Sequence, residues 1–190
     1  MSGTKTALLV IDVQRAILAI PKLSRKKEID QAFDATVCRI AALIDRARTA
    51  SVPVIYVQHD GGPDHRLAPG CPGWSLCPEI EPRAGELVVH KRACDAFFDT
   101  ALDAELSAAG IRQLVVAGCM TQYCIDTTVR RAISLEYDVV LVADGHMTVD
   151  SDTLTFEQII AHHNALLDGF DAGTHEVRVC PSSEVRLTLI

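Results

Sequence analysis

The chain has 190 residues, with 18 Lys and Arg against 25 Asp and Glu, a formal charge of −7 at neutral pH. That balance argues against a nucleic-acid surface, and the short basic cluster Ser24–Lys27 reads as a solvated face. A hydrophobic fraction of 48% with 23% charged residues suits a soluble core-forming protein, no apolar run approaches the roughly 18 residues that span a bilayer, and seven scattered cysteines argue against a disulfide scaffold.

The opening "MSGTKTALLVID" runs directly into a strand pattern without a secretory layout, so a cytoplasmic protein is expected. Thr6–Val13 is a continuous apolar run of strand length. The next segment, Lys26–Ala50, places Ile29, Phe33, Val37, Ile40, Ile44 and Ala47 at spacings of three and four, which predicts an amphipathic helix. Val52–His59 reads as the second strand. Residues 60–84 are rich in Gly and Pro and lack periodicity. A loop of that length is expected to be a lid or binding loop. Glu86–Lys91 predicts a third strand, Thr100–Gly110 a helix, Ile111–Gly118 a fourth strand and Gln122–Glu136 a helix. Asp138–Asp144, Thr153–Phe170 and His175–Cys180 complete the alternation as strand, helix and strand.

Strands that are apolar throughout and alternate with helices predict a parallel sheet covered on both faces. The expected architecture is one three-layer α/β/α domain over residues 1–190. Such sheets bind ligands at the carboxyl ends of their strands. Those ends carry Asp12 and Gln14, His59 and Asp60, His90 and Lys91, Cys124, and Asp144 and His146.

Neither a Gly-rich dinucleotide turn nor a phosphate-binding P-loop follows the first strand, which continues "DVQRAI". His59, Asp60, His65, Cys71 and Cys77 crowd one loop without a recognised zinc spacing, so no metal and no cofactor are expected. Cys124 falls in the first turn of a predicted helix, where the helix end and a cation such as Lys91 would lower a thiol pKa. Asp12, at another strand end, could shuttle the proton. A free cysteine is most often a small buried hydrophobe, and spacing alone favours that reading over a nucleophile while leaving both open. Cys38, Cys119 and Cys180 read as core packing.

The segments "ALLVIDVQ", "VVHKRACDAFFDTALDAEL", "LVVAGCMTQYCIDTTVRRAI", "VVLVADGHMT" and "IIAHHNALL" stand in an order that resembles the isochorismatase-like cysteine hydrolases over nearly the whole chain. The resemblance implies a catalytic triad of Asp12, Lys91 and Cys124. It implies a six-stranded parallel sheet of order 3-2-1-4-5-6 and a cis peptide at Met120–Thr121. It also implies hydrolysis of a C–N bond of a small molecule through a thioester, with the backbone N–H groups of Thr121 and Cys124 as the oxyanion hole. Members that cleave the vinyl ether of isochorismate keep the Asp and Lys but lack the Cys, so an intact Cys124 favours amidase chemistry. A non-catalytic binding protein is the remaining alternative.

Gln14, His59, Trp74 and Tyr123 are the expected substrate-binding residues, Trp74 because it resembles a lid position of the family. His146, His162 and His163 are expected to satisfy hydrogen bonds or subunit contacts. The chain departs from common family patterns at "RAIL" after the first strand, at Asp95 and at "DGHMT", changes that bear on pocket walls more than on the triad. Family substrates include nicotinamide, carbamoyl and ureido compounds and lactams, and members are often dimers or tetramers. Nicotinamidases of the family hold a metal through an Asp and His cluster, whose spacing His59, Asp60 and His65 do not match.

Overall fold

Register makes the parallel strands of the sheet end at one rim. In the computed structural model, which describes residues 5–21 and 23–187, strands β1 (Thr6–Ile11), β2 (Val54–His59), β3 (Leu87–Lys91), β4 (Gln113–Cys119) and β5 (Asp138–Met147) run parallel. Ile11 pairs with both Val57 and Gly118, and His59 pairs with Lys91. The residues that follow Ile11, His59, Lys91 and Cys119 therefore converge.

The sheet order is 3-2-1-4-5-7-6. The five strands up to β5 follow the expected order, and the expected last strand, His175–Cys180, is β7 beside β5. The count differs by one: β6 (Asp171–Ala172) pairs antiparallel with β7 at the edge. A two-residue connection, Gly173–Thr174, makes this hairpin, with Gly173 at φ +68° where a glycine relieves the tight turn. A two-residue strand leaves no periodicity to read.

Strand β1 explains the layering. Leu8 and Val10 face helix α1 (Lys26–Thr49) through Val37, Ile40, Leu43 and Ile44. Ala7, Leu9 and Ile11 face the opposite way, toward α2 (Leu102–Ala108) and α3 (Asp126–Ser134) through Leu102, Leu106, Val129 and Ile133. Both faces are covered, which is why the strand has no polar alternation. Complete burial of each such aliphatic side chain contributes about 1.5–3 kcal/mol. Cys180 is core, as expected, but Cys38 is exposed. Val37 and Ile40 point at the sheet, and the intervening position rotates toward solvent.

A third apolar cluster closes the strand-end rim. Ile17, Leu18 and Leu67 from loops pack with Cys119, Met120, Met147 and Phe156, the first residue of α4 (Phe156–Leu167). Helix α4 begins with a capping box: Thr155 Oγ1 accepts from the Gln158 N–H while Gln158 Oε1 accepts from the Thr155 N–H. No described helix is long and apolar enough to cross a membrane.

Candidate active site

Asp12 and Cys124 line a cleft of about 230 Å³, and the buried Lys91 side chain lies in contact with both. The Lys91 Nζ lies 2.6 Å from Asp12 Oδ2 and donates to Cys124 Sγ at 3.2 Å and to the Ala93 carbonyl at 2.8 Å. The Asp12 and Lys91 side chains have no solvent exposure. Apart from this ammonium contact, neither carboxylate oxygen of Asp12 has a well-oriented hydrogen-bond donor among the described residues.

The backbone is bent to build this arrangement. Asp12 sits at φ +52°, a left-handed conformation that Asp tolerates better than most residues, with its N–H donating to the Val57 carbonyl. Beside it Gly118 lies at φ +133°, and a Cβ there would fall 2.0 Å from the Ile11 carbonyl oxygen. Only glycine lets β4 approach the end of β1 that closely. The segment after Lys91 is pinned to α3, because the Ala96 N–H donates to Thr128 Oγ1 at 3.1 Å.

Electrostatics in the trio are coupled. Burial raises the Asp12 carboxyl despite the opposing pull of Lys91 and Cys124. Burial works against the Lys91 ammonium, but Asp12 and Cys124 outweigh it, and its pKa is raised. Burial and then the Asp12 charge push the Cys124 thiol up, against the lowering pull of Lys91. The Cys124 thiol is thus held in its neutral form beside the paired Asp12 and Lys91 side chains.

The cleft walls come from Ile17, Ile20, His59, His65, Arg66, Leu67, Cys94, Met120 and Tyr123. Two expected contact residues, His59 and Tyr123, line it, and Tyr123 is 52% exposed at its mouth. Burial, then Lys91 and His65, push His59 down to about 4, so its ring is neutral near pH 7. Gln14 and Trp74 do not line the cleft. The Gln14 amide is fully used by backbone: Nε2 donates to the His59 and Trp74 carbonyls at 3.0 and 2.7 Å, and Oε1 accepts from the His59 N–H at 3.0 Å. It is a brace that ties the 60–84 loop to the sheet. Trp74 stacks on His90 and donates from Nε1 to Asp60 Oδ1 at 2.8 Å, which places its ring on the outer side of that loop.

Arg66 braces the loop further, donating from Nε to the Ala16 carbonyl and from Nη2 to the Ile17 carbonyl. Sequence reasoning missed Ile17, Ile20, Leu67 and Met120 as walls. The departure "RAIL" (Arg15–Leu18) contains the first of these, and nothing singled out the other three. His59, Asp60 and His65 do not assemble into a cluster of three metal-ligating side chains among the described residues. Asp60 is engaged by Trp74 and His90 instead.

The turn that carries Cys124 is a π-helical turn, Thr121–Ile125, that leads directly into α3. The cis peptide lies at Cys119–Met120, one residue before the expected Met120–Thr121. The reason is hydrogen bonding: the Met120 carbonyl already accepts from the Tyr123 and Ile125 N–H groups, so the Met120–Thr121 peptide belongs to the helical turn and keeps its trans geometry. The irregular joint is pushed back to the end of β4. Thr121 and Cys124 are both buried, and their N–H groups fall in the first turn, where helix geometry leaves donors unpaired. Behind the turn, Thr121 Oγ1 is 2.9 Å from His146 Nδ1, and His146 Nε2 is 2.8 Å from Asn164 Oδ1. A register shift in β5 brings His146 opposite Gly118. Burial pushes His146 down to about 4.

The family model for the isochorismatase domain matches residues 6–166. The chain belongs to the isochorismatase family. A streptothricin hydrolase of Streptomyces noursei is 40% identical over 148 residues, covering 76% of this chain and 50% of that protein. A ureidoacrylate amidohydrolase of Agrobacterium fabrum is 30% identical over 180 residues, covering 76% of this chain and 77% of that protein. The chain thus spans about half the length of the streptothricin hydrolase that it matches. The crystal structure of an isochorismatase from Pseudomonas putida, 30% identical, superposes with a TM-score of 0.82 and covers 98% of this chain and 93% of its own.

Proposed function

We propose that the protein is a cysteine hydrolase that cleaves a C–N bond of a small amide, carbamoyl or lactam-type molecule through a thioester on Cys124. The observation that carries this reading is the buried Lys91 ammonium in contact with both the Asp12 carboxylate and the Cys124 sulfur. One fixed cation can serve two anions in turn. As the sulfur attacks the carbonyl carbon, its proton passes to Asp12, whose raised pKa suits a general base. The Lys91 partner changes from carboxylate to thiolate, and the buried net charge stays the same. A charged thiolate never has to form without a counter-ion.

The attack makes a C–S bond and turns the carbonyl oxygen into an oxyanion, which the N–H groups of Thr121 and Cys124 would receive. Such donors are worth about 3–4 kcal/mol each where they have been removed. Collapse breaks the C–N bond, and Asp12 returns the proton to the leaving nitrogen. Asp12 then takes a proton from water, the resulting hydroxide attacks the thioester, and the acid and free thiol are released. The walls select the substrate by size: Ile17, Ile20, Leu67 and Met120 leave an apolar chamber, with the neutral His59 ring as a polar contact. The amidohydrolase and hydrolase names of the relatives support the C–N reading.

The test is ammonia release from a panel of small amides, carbamoyl compounds and lactams, with and without chelator, coupled to mass spectrometry of the protein. Turnover with an acyl adduct on Cys124, and a loss of about 10⁴-fold or more in Cys124→Ala, are expected. Near wild-type turnover by Cys124→Ala would sink the thioester route. Vinyl-ether cleavage without any adduct would point to isochorismate hydrolysis instead.

A further inference from the structure

We propose that His146 and Asn164 are positioning residues for the oxyanion-binding turn, acting through the hydroxyl of Thr121. This inference rests on the hydrolase reading above. The direction of every hydrogen in the network follows from one fixed point. Asn164 Nδ2 donates to the Ala143 carbonyl at 3.0 Å, since the reverse placement would set two oxygens against each other. Asn164 Oδ1 therefore faces His146 Nε2 at 2.8 Å and can only accept, so that ring nitrogen carries the hydrogen. In the neutral ring Nδ1 is then a bare acceptor, and Thr121 Oγ1 must donate to it. Donation runs in one direction, Thr121 to His146 to Asn164 to the β5 backbone.

The consequence is a fixed rotamer at the first residue of the Cys124 turn. Thr121 is fully buried and His146 is 1% exposed, so no water competes for these bonds. With its hydroxyl held toward His146, the Thr121 side chain stays out of the cleft and its N–H keeps one direction. His146 does not line the cleft and is not a group that touches substrate. The sheet reaches this geometry only through the β5 irregularity that sets His146 opposite Gly118. Because an oxyanion exists in the transition state and not in the bound substrate, loosening the turn lowers kcat and leaves KM nearly unchanged.

The experiment compares two reactions of Cys124 in full-length protein. Acylation by para-nitrophenyl acetate passes through an oxyanion; alkylation by iodoacetamide does not. In His146→Leu, acylation is expected to slow about 10- to 100-fold and alkylation to change less than about threefold. In His146→Gln the amide can still accept from Thr121 and donate to Asn164, and most of the acylation rate is expected to return. Equal slowing of both reactions, or no slowing, overturns the proposal. Should His146→Leu fail to fold, Asn164→Leu carries the same pair of rates. Nitrogen NMR of labelled histidine reads the network without turnover: at neutral pH the His146 hydrogen sits on Nε2, and Thr121→Val moves the Nδ1 resonance. A hydrogen on Nδ1 overturns the positioning role whatever the enzyme does. The expected tautomer in a protein whose Cys124 accepts no acyl group overturns the hydrolase reading instead.

Discussion

Two buried polar clusters flank the Cys124 turn, and they differ in what is left unpaired. On one side, Thr121, His146 and Asn164 form a chain in which each side chain has a partner. On the other, Asp12 has the Lys91 ammonium contact and no well-oriented hydrogen bond among the described residues, on a backbone at φ +52°. A satisfied network lies at an energy minimum and resists change. An under-satisfied carboxylate beside a neutral thiol has capacity for one more proton. The difference separates a cluster that holds geometry from one poised to move a proton.

Removing the shared cation should break the contrast most strongly. Lys91→Met keeps the volume and leaves the Asp12 carboxylate buried without a counter-charge. Turnover is expected to fall about 10³-fold or more, and stability by about 3–5 kcal/mol. The pH dependence has a definite sign. With the cation gone the folded-state pKa of Asp12 rises still further above its unfolded value, so the folded state binds the extra proton. The variant is then closest to wild type in acid, and its deficit grows as pH rises above the unfolded carboxyl value. Denaturant melts across pH would show this, and a deficit constant with pH would mean that Asp12 is not the charged partner.

How much of this was legible differs between the two clusters for a physical reason. Asp12, Lys91 and Cys124 each follow an apolar strand in sequence, and parallel topology alone brings strand ends together, so the trio could be read from strand positions. The second cluster depends on a register shift within β5 and on which face of α4 carries Asn164. His146 was readable as a hydrogen-bonding group, but its partners were not. The cis peptide was misplaced by one residue, because which peptide belongs to the helical turn depends on the Met120 carbonyl bonds. Gln14 shows the same limit: a polar residue at a strand end suggests substrate contact, yet its amide is spent on the backbone of His59 and Trp74.

A smaller effect sharpens the electrostatic side. Asp12→Asn keeps a residue that tolerates the left-handed backbone and removes the carboxylate, the second cause after burial that raises the Cys124 thiol. Lys91 then acts on the sulfur unopposed. Iodoacetamide alkylation at neutral pH is expected to accelerate about tenfold while amide turnover is lost, since a lower thiol pKa raises the thiolate fraction but no base remains. Unchanged or slower alkylation would show that Asp12 does not hold the thiol protonated.

The smallest effect tests the satisfied cluster through its stability. His146 is pushed down to about 4 from 6.5, mainly by burial. A neutral ring in the folded state and a titrating ring in the unfolded state mean that the unfolded chain binds more protons between those values. Stability from this group is present above the unfolded pKa and is lost as pH falls toward 4, by about 2 kcal/mol at about pH 5. Protonation would also put a hydrogen on Nδ1 against the Thr121 hydroxyl, forcing that hydroxyl to turn and accept. His146→Gln cannot titrate, so its stability should fall less steeply than wild type between neutral and acid conditions. Other buried groups titrate in both proteins alike, which makes the difference between the two curves the quantity to measure. Parallel curves would place the His146 ring in contact with water or with a charge that holds its pKa near the ordinary value. The cluster behind Thr121 would then be looser than the one at Asp12, reversing the contrast.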